Sequence, residues 1–207
     1  NLTEEKKVEL LYRLLIEYRN VLPMKGVDYA KIGLNKIAND ARLDSIYRFK
    51  FVNGIGDSYR YISRNEEAID YYFRALRIAE KSRKEKDRAK ALNNIGLIYN
   101  NIKDYKLALD YIKRSFRIFE QFNEKTLIIQ SYNNLASIYW NDKKIDSALK
   151  YYNLAFEVSK DINDLVGLLH SYNNLGIVYL EKGDNYTALE FFYRSLEISQ
   201  DLKDKKG

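Results

Sequence analysis

Four times, at intervals of forty residues, the chain writes nearly the same ten residues: FVNGIGDSYR from 51, ALNNIGLIYN from 91, SYNNLASIYW from 131 and SYNNLGIVYL from 171. Self-similarity at a fixed period decides an architecture ahead of any single element, because each copy must be one supersecondary unit that buries its apolar face against its neighbours. Laid over one another, the copies give four columns: Val52, Leu92, Tyr132, Tyr172; Ile55, Ile95, Leu135, Leu175; Gly56, Gly96, Ala136, Gly176; and Tyr59, Tyr99, Tyr139, Tyr179. They fall at i, i+3, i+4 and i+7, one stripe of an α-helix. A second set follows nine residues on: Ala68, Ala108, Ala148, Ala188; Tyr72, Ile112, Tyr152, Phe192; and Ala75, Ser115, Ala155, Ser195. Its spacing is helical too. Between the sets lie short polar turns such as NIKD and EKGD, where Asp104 and Asp184 suit the N-cap of the second helix. Each unit therefore reads as a helix hairpin, closed by small residues of one column facing large residues of another. Glycine inside a helix costs up to about 1 kcal/mol relative to alanine, so its return at Gly56, Gly96 and Gly176 points to a steric requirement.

Composition agrees with a helical globular chain. Hydrophobic residues make up 46%, and one proline, Pro23, with nine glycines leaves room for long helices and little for a turn-rich β design. No apolar run approaches the roughly 18 residues of a membrane span and no leader pattern opens the chain. The expectation is a soluble segment without direct membrane contact, with any signal or anchor outside it. Cysteine is absent, which removes disulfide and thiol chemistry but leaves both compartments open, cytoplasmic or extracytoplasmic. The formal charge of +6 is spread along the chain. Its densest basic stretch, KSRKEKDRAK at 81–90, also holds Glu85 and Asp87, so it reads as a solvated connector and no nucleic-acid footprint is expected.

The columns resemble the tetratricopeptide repeat, with its apolar or aromatic residue, leucine-glycine, tyrosine, alanine, aromatic and alanine across two antiparallel helices. The resemblance is strong over 51–207, with a period of forty in place of about 34 and no proline closing the second helix, which implies longer helices. It implies an all-α fold, a right-handed α-solenoid of stacked antiparallel helix hairpins. A single array over 1–207 then divides into a degenerate front unit at 1–48 and repeats at 49–88, 89–128, 129–168 and 169–207. In the front unit Leu11, Leu14, Leu15 and Tyr18 form the first stripe, Gly26, Ala30 and Gly33 supply the small positions, and Pro23 sits in the turn. The opening LTEEKKVELLYRLLIEYR is also similar to the start of tetratricopeptide sensor regions in bacterial histidine kinases and helix-turn-helix regulators. That similarity implies the input part of a signalling protein, with output beyond residue 207.

Catalysis has little to work with. His170 is the sole histidine, placed at the repeat position of Lys50, Lys90 and Gln130, and no metal-ligand spacing appears. GIG at 54–56 lies inside a helical stripe and lacks the strand and third glycine of a dinucleotide loop. The expectation is a non-enzyme with no catalytic residue, cofactor or metal. Nineteen tyrosines raise base stacking as a reading, but eight of them, Tyr59, Tyr99, Tyr139 and Tyr179 included, fall in the packing columns and are expected in the core.

In the stacked fold that the resemblance implies, first helices line a concave surface. One position past the core stripe stand Asn53, Asn93, Asn133 and Asn173, followed by Asn94, Asn134 and Asn174. The first column is the candidate ligand face and the second the candidate tie between hairpins. An asparagine offers both an acceptor and a donor, matching the peptide unit, so a row of them can hold an extended backbone. The row also reads as a plain solvated surface. Helical spacing adds Leu97, Ser137 and Ile177, then Arg60, Asn100, Trp140 and Leu180, as selectivity positions. Lys50, Arg60 and Lys90 favour an acidic end of a protein or extended peptide at the front, with Asp57 among them acting against it. The alternative is a passive structural or self-association module. No polar capping helix follows the hairpin at 171–200 before DLKDKKG, so either the chain continues or the exposed end pairs two copies into a homodimer.

Overall fold

The computed structural model describes residues 2–204, leaving Asn1 and the last three residues of DLKDKKG outside. Among the described residues there are ten α-helices and no strand: α1 (Glu4–Tyr18), α2 (Pro23–Ile37), α3 (Ala41–Tyr61), α4 (Asn65–Lys81), α5 (Glu85–Asn101), α6 (Tyr105–Gln121), α7 (Lys125–Asn141), α8 (Ile145–Asp161), α9 (Leu165–Glu181) and α10 (Asn185–Asp204). They form two compact units, Asn1–Ile102 with α1 to α5 and Lys103–Gly207 with α6 to α10. In the first, consecutive helices pack on one another and α3 touches both α1 and α5. In the second, α6 to α10 pack consecutively and α7 touches α9. Short connectors make consecutive helices antiparallel, and the contact between alternate helices is that of stacked hairpins. No described helix is long and apolar enough to cross a membrane.

The connectors carry a regularity finer than the sequence repeat. Helices α4 to α9 are each 17 residues long, and a residue with positive φ recurs every twenty: Ser63, Arg83, Lys103, Asn123, Lys143, Asn163 and Gly183. Turns within a hairpin and turns between hairpins thus share one backbone. At the first, Ser63 N–H donates to the Arg60 carbonyl (3.0 Å) and Arg64 N–H to the Tyr59 carbonyl (2.9 Å). This is the paired closure that satisfies a helix's last carbonyls with a left-handed residue just past its end. Only Gly183 adopts that conformation without a side-chain penalty, which for an L-residue is roughly 1–2 kcal/mol. We predict that Gly183→Ala lowers stability by about 1 kcal/mol. Lys143→Gly should raise it by about 0.5–1 kcal/mol once the extra freedom of unfolded glycine is subtracted. Denaturant melts of both variants check the pair, and equal shifts of one sign would refute the account.

Local starts match their chemistry. Asp104 accepts from Leu107 N–H (3.0 Å) and Asp184 from Thr187 N–H (3.1 Å), as N-caps do. Pro23 is the first residue of α2, where its missing N–H is an orphan in any case. In the front hairpin Val8 and Leu15 are the fully buried residues of α1, while Leu11, Leu14 and Tyr18 are half-buried; Gly26, Ala30 and Gly33 are buried in α2.

The small columns do close the hairpins. A Cβ placed on Gly56 of α3 would lie 2.6 Å from a ring carbon of Tyr72 of α4, and one on Gly176 of α9 would lie 2.7 Å from the ring of Phe192 of α10. Ala68, Ala75, Ala148 and Ala155 have no exposed surface. Aromatic residues fill the space this leaves. In the second unit Phe116 meets Tyr132 and Phe156 meets Tyr172, each with centroids 5.1 Å apart, while Tyr139 stacks on Tyr151 and Tyr179 on Phe191 at 5.4 Å. The column tyrosines belong to the packing.

Candidate ligand-binding face

Helical geometry puts residues i, i+4 and i+7 on one stripe. On α3 that stripe holds Asn53, Asp57 and Arg60, on α7 Asn133, Ser137 and Trp140, and on α9 Asn173, Ile177 and Leu180. The four first-column asparagines are half-buried, as are Leu97, Ser137, Arg60 and Trp140. Ile177 and Leu180 are 47% and 52% exposed, on the same stripe as Asn173. Trp140 also packs against the core cluster around Ala136 and Tyr152. His170 is exposed at the start of the α9 phrase.

The two asparagine columns are joined. Asn94 of α5 donates its side-chain amide to Oδ1 of Asn53 on α3 (3.0 Å), and Asn174 of α9 donates to Oδ1 of Asn133 on α7 (3.4 Å). Asn53 and Asn133 therefore share in the tie between hairpins that was expected of the second column alone. A second-column residue sits forty-one positions beyond its partner, and stacking the hairpins brings the two amides within reach. The bridge uses the oxygen of the first-column amide and leaves the Nδ2 of Asn133 to donate elsewhere.

Unit 1 adds a charged centre built on Asp57, the acid that the sequence sets among Lys50, Arg60 and Lys90. Asp57 occupies the repeat position of Leu97, Ser137 and Ile177, and its side chain is 15% exposed. It accepts from Tyr72 Oη (2.8 Å), from Arg19 of the front hairpin (3.1 Å), and at 3.4 Å from both Asn53 and Asn94. Arg60 Nε in turn donates to Tyr72 Oη (3.3 Å). Desolvation raises the Asp57 carboxyl above the ordinary aspartate value, with the Tyr72 hydroxyl and the cations Arg19 and Arg60 acting the other way. Burial also pushes the Tyr72 phenol far up, so it stays a neutral donor.

Beside this centre is a cavity of about 130 Å³ whose walls include Tyr12, Arg19, Lys50, Asn53, Asp57 and Lys90. Lys50 is exposed and its ammonium lies over the rings of Tyr47 (4.9 Å) and Tyr12 (5.5 Å). The structure thus brings Lys50 and Lys90 to one cavity, turns Arg60 toward Tyr72, and adds Arg19, which the forty-residue columns could not point to because it lies in the degenerate front. Among the described residues no three His, Cys, Asp or Glu side chains are grouped as a metal ion would require.

No curated protein matches the chain by sequence. Among solved structures, BtubC (BKLC) from P. vanneervenii superposes with a TM-score of 0.73 at 18% identity, over 98% of this chain and 93% of that one. Aspartyl phosphate phosphatase F from Bacillus subtilis gives 0.75 at 18% over 97% of this chain, which spans 61% of that protein. A Rap protein in complex with Competence and Sporulation Factor gives 0.75 at 19% over 99% of this chain and 66% of its own. At these identities the likeness is one of fold. The tetratricopeptide repeat profile matches residues 49–121 and 127–201, and with the hairpins, small-residue columns and stacked first helices of each unit in place, the chain belongs to the tetratricopeptide repeat family.

Proposed function

We propose that the chain binds a protein segment in extended form along its first-helix faces, without catalysis, as a sensory or interaction region in bacterial signalling. The observation that carries this reading is the stripe of unit 2. Asn133 has its oxygen engaged by Asn174, so its Nδ2 is oriented to donate, while Ile177 and Leu180 stand exposed in line with Asn173. Backbone-pairing amides beside apolar side chains suit an extended peptide, whose main chain supplies affinity and whose side chains supply selectivity. The neighbour bound to Competence and Sporulation Factor supports a ligand-binding use of this fold. At the front, Lys50 and Lys90 with Arg19 outweigh Asp57 and Asp87 around one cavity, which favours an acidic end of the ligand there.

The test compares two residues of one hydrogen bond. A segment found by screening an array of extended peptides would be titrated against Asn133→Ala/Asn173→Ala and against Asn174→Ala. The first should lose at least tenfold in affinity, from contacts of roughly 0.5–1.5 kcal/mol each. Asn174→Ala breaks the same Asn133 bridge and should cost similar stability while keeping affinity. Equal losses of affinity would mean that the row sets hairpin register and grips nothing. Lys50→Glu/Lys90→Glu should weaken acidic segments selectively, as titrations of acidic and neutral peptides will show.

A second reading, self-association, is favoured by α10. Tyr186, Leu189, Tyr193 and Leu196 are 83%, 56%, 61% and 53% exposed. Their heptad-like spacing is the seam of a helix pair, so a second copy of the chain is the occupant this reading names. Leu189→Glu/Tyr193→Glu should then abolish a dimer seen by sedimentation, and a wild-type chain that is monomeric at high concentration rejects the reading.

A further inference from the structure

At the open end of the α3/α4 hairpin lies a second cavity, of about 590 Å³. It shares only Phe49 with the cavity beside Asp57, and none of its lining residues belongs to the asparagine stripe. Helix α3 begins four residues before the point where the repeat starts α5, α7 and α9, with Asp40 as its cap, and this extra turn carries Asp44 to the cavity wall. The lining includes the aromatic ring of Phe49, itself 6% exposed, and Ile78. Around these stand three cations, Arg48, Lys81 and Lys84, against one carboxylate, Asp44. Asp44 is already bound to Arg48 (2.5 Å). The Lys84 ammonium rests on the carbonyl oxygen of Ser45, a neutral acceptor that leaves its charge uncompensated.

Repeat symmetry makes this charge distinctive. Forty and eighty residues after Lys81 stand Gln121 and Asp161, and after Lys84 stand Glu124 and Asp164. Where later repeats place neutral or acidic side chains, this one places two lysines, both in the basic stretch at 81–90. An apolar floor with a few convergent charged groups, in a volume within the range of about 300–1,000 Å³, is the make-up of a small-molecule site. We propose that this cavity binds an amphipathic anion, an aromatic or apolar group bearing a carboxylate or a phosphate, with the apolar part against Phe49 and Ile78 and the anion between Lys81 and Lys84. The proposal is independent of the peptide reading.

The probes are benzoate, phenyl phosphate and the neutral benzyl alcohol, titrated into the isotopically labelled chain and followed by backbone amide shifts. Both anions should give saturable shifts centred on Ser45, Phe49, Ile78 and Ser82, with benzyl alcohol at least tenfold weaker. The stronger of the two anions tells a carboxylate ligand from a phosphate one. Lys81→Glu/Lys84→Glu should weaken both anions at least tenfold, with Lys81→Gln/Lys84→Gln as the gentler pair should charge reversal disturb the fold. Lys50→Glu/Lys90→Glu should leave binding unchanged. The site is refuted if neither anion gives a saturable shift at those amides, if benzyl alcohol binds as well as benzoate, or if the lysine variants bind as the wild type does.

Discussion

Truncating Tyr72 should destabilise unit 1 more than any other single change considered for this chain. Its side chain has no exposed surface, it fills the space over Gly56, and its hydroxyl holds Asp57 at 2.8 Å. Tyr72→Ala opens a cavity and should cost about 3–5 kcal/mol, as large aromatic truncations do. Tyr72→Phe keeps the ring and removes one donor from a buried carboxylate, at about 1–3 kcal/mol. The phenylalanine variant also carries a signature in pH. Because the Asp57 carboxyl is raised in the folded state, chiefly by desolvation, folding favours its protonated form. That contribution is fully present below the unfolded pKa and is lost as pH rises through the folded one. Removing Tyr72 Oη removes the leading influence that lowers this pKa, so the folded value climbs and the loss extends to higher pH. Tyr72→Phe should therefore be weakest relative to wild type near neutrality and close to it in acid. Denaturant melts across pH measure the difference, and a gap that widens in acid would show that the hydroxyl does not act through Asp57.

The second large effect concerns the glycine column, where two chemically identical substitutions should differ. An added methyl at Gly56 meets Tyr72, which is locked by hydrogen bonds to Asp57 and Arg60 and cannot swing away. Overpacking of about 1–3 kcal/mol should prevail there over the roughly 1 kcal/mol that alanine gains as a helix former. At Gly176 the methyl meets Phe192, which is only half-buried and whose ring edge has room to give. Gly176→Ala should be near neutral. Thermal melts of both variants check this, and the double variant Gly56→Ala/Tyr72→Leu should lose less than the sum of its two single losses if the clash is the source. Equal gains at the two sites would mean that helix propensity, and no clash, governs the column.

The family, the hairpins and the packing columns were legible in the residues because periodicity is local. Val52 to Tyr59 and Ala68 to Ala75 declare a helical stripe and its small positions within ten residues, and the same declaration repeated at forty leaves stacking as the way to bury it. Asp104 and Asp184 mark their helix starts by the same short-range logic. The positive-φ residues were not legible in this way. Ser63, Arg83 and Lys103 are not residues that favour the left-handed region, and they adopt it because the hairpin fixes where each helix must end.

What only the tertiary structure decided lies between elements far apart in sequence. Arg19 reaches Asp57 across thirty-eight residues and Asn94 reaches Asn53 across forty-one. No column could predict the first, since Arg19 belongs to the degenerate front unit. The second was hidden because two adjacent asparagines in one helix look like separate columns until the next hairpin is laid beside them. Sequence by itself determined the fold of this protein, because helix periodicity and side-chain volume act over a few residues. Which polar groups meet, and with what charge, depended on long-range stacking, because a hydrogen bond is decided within about 3.5 Å and no spacing in one repeat sets that distance to another.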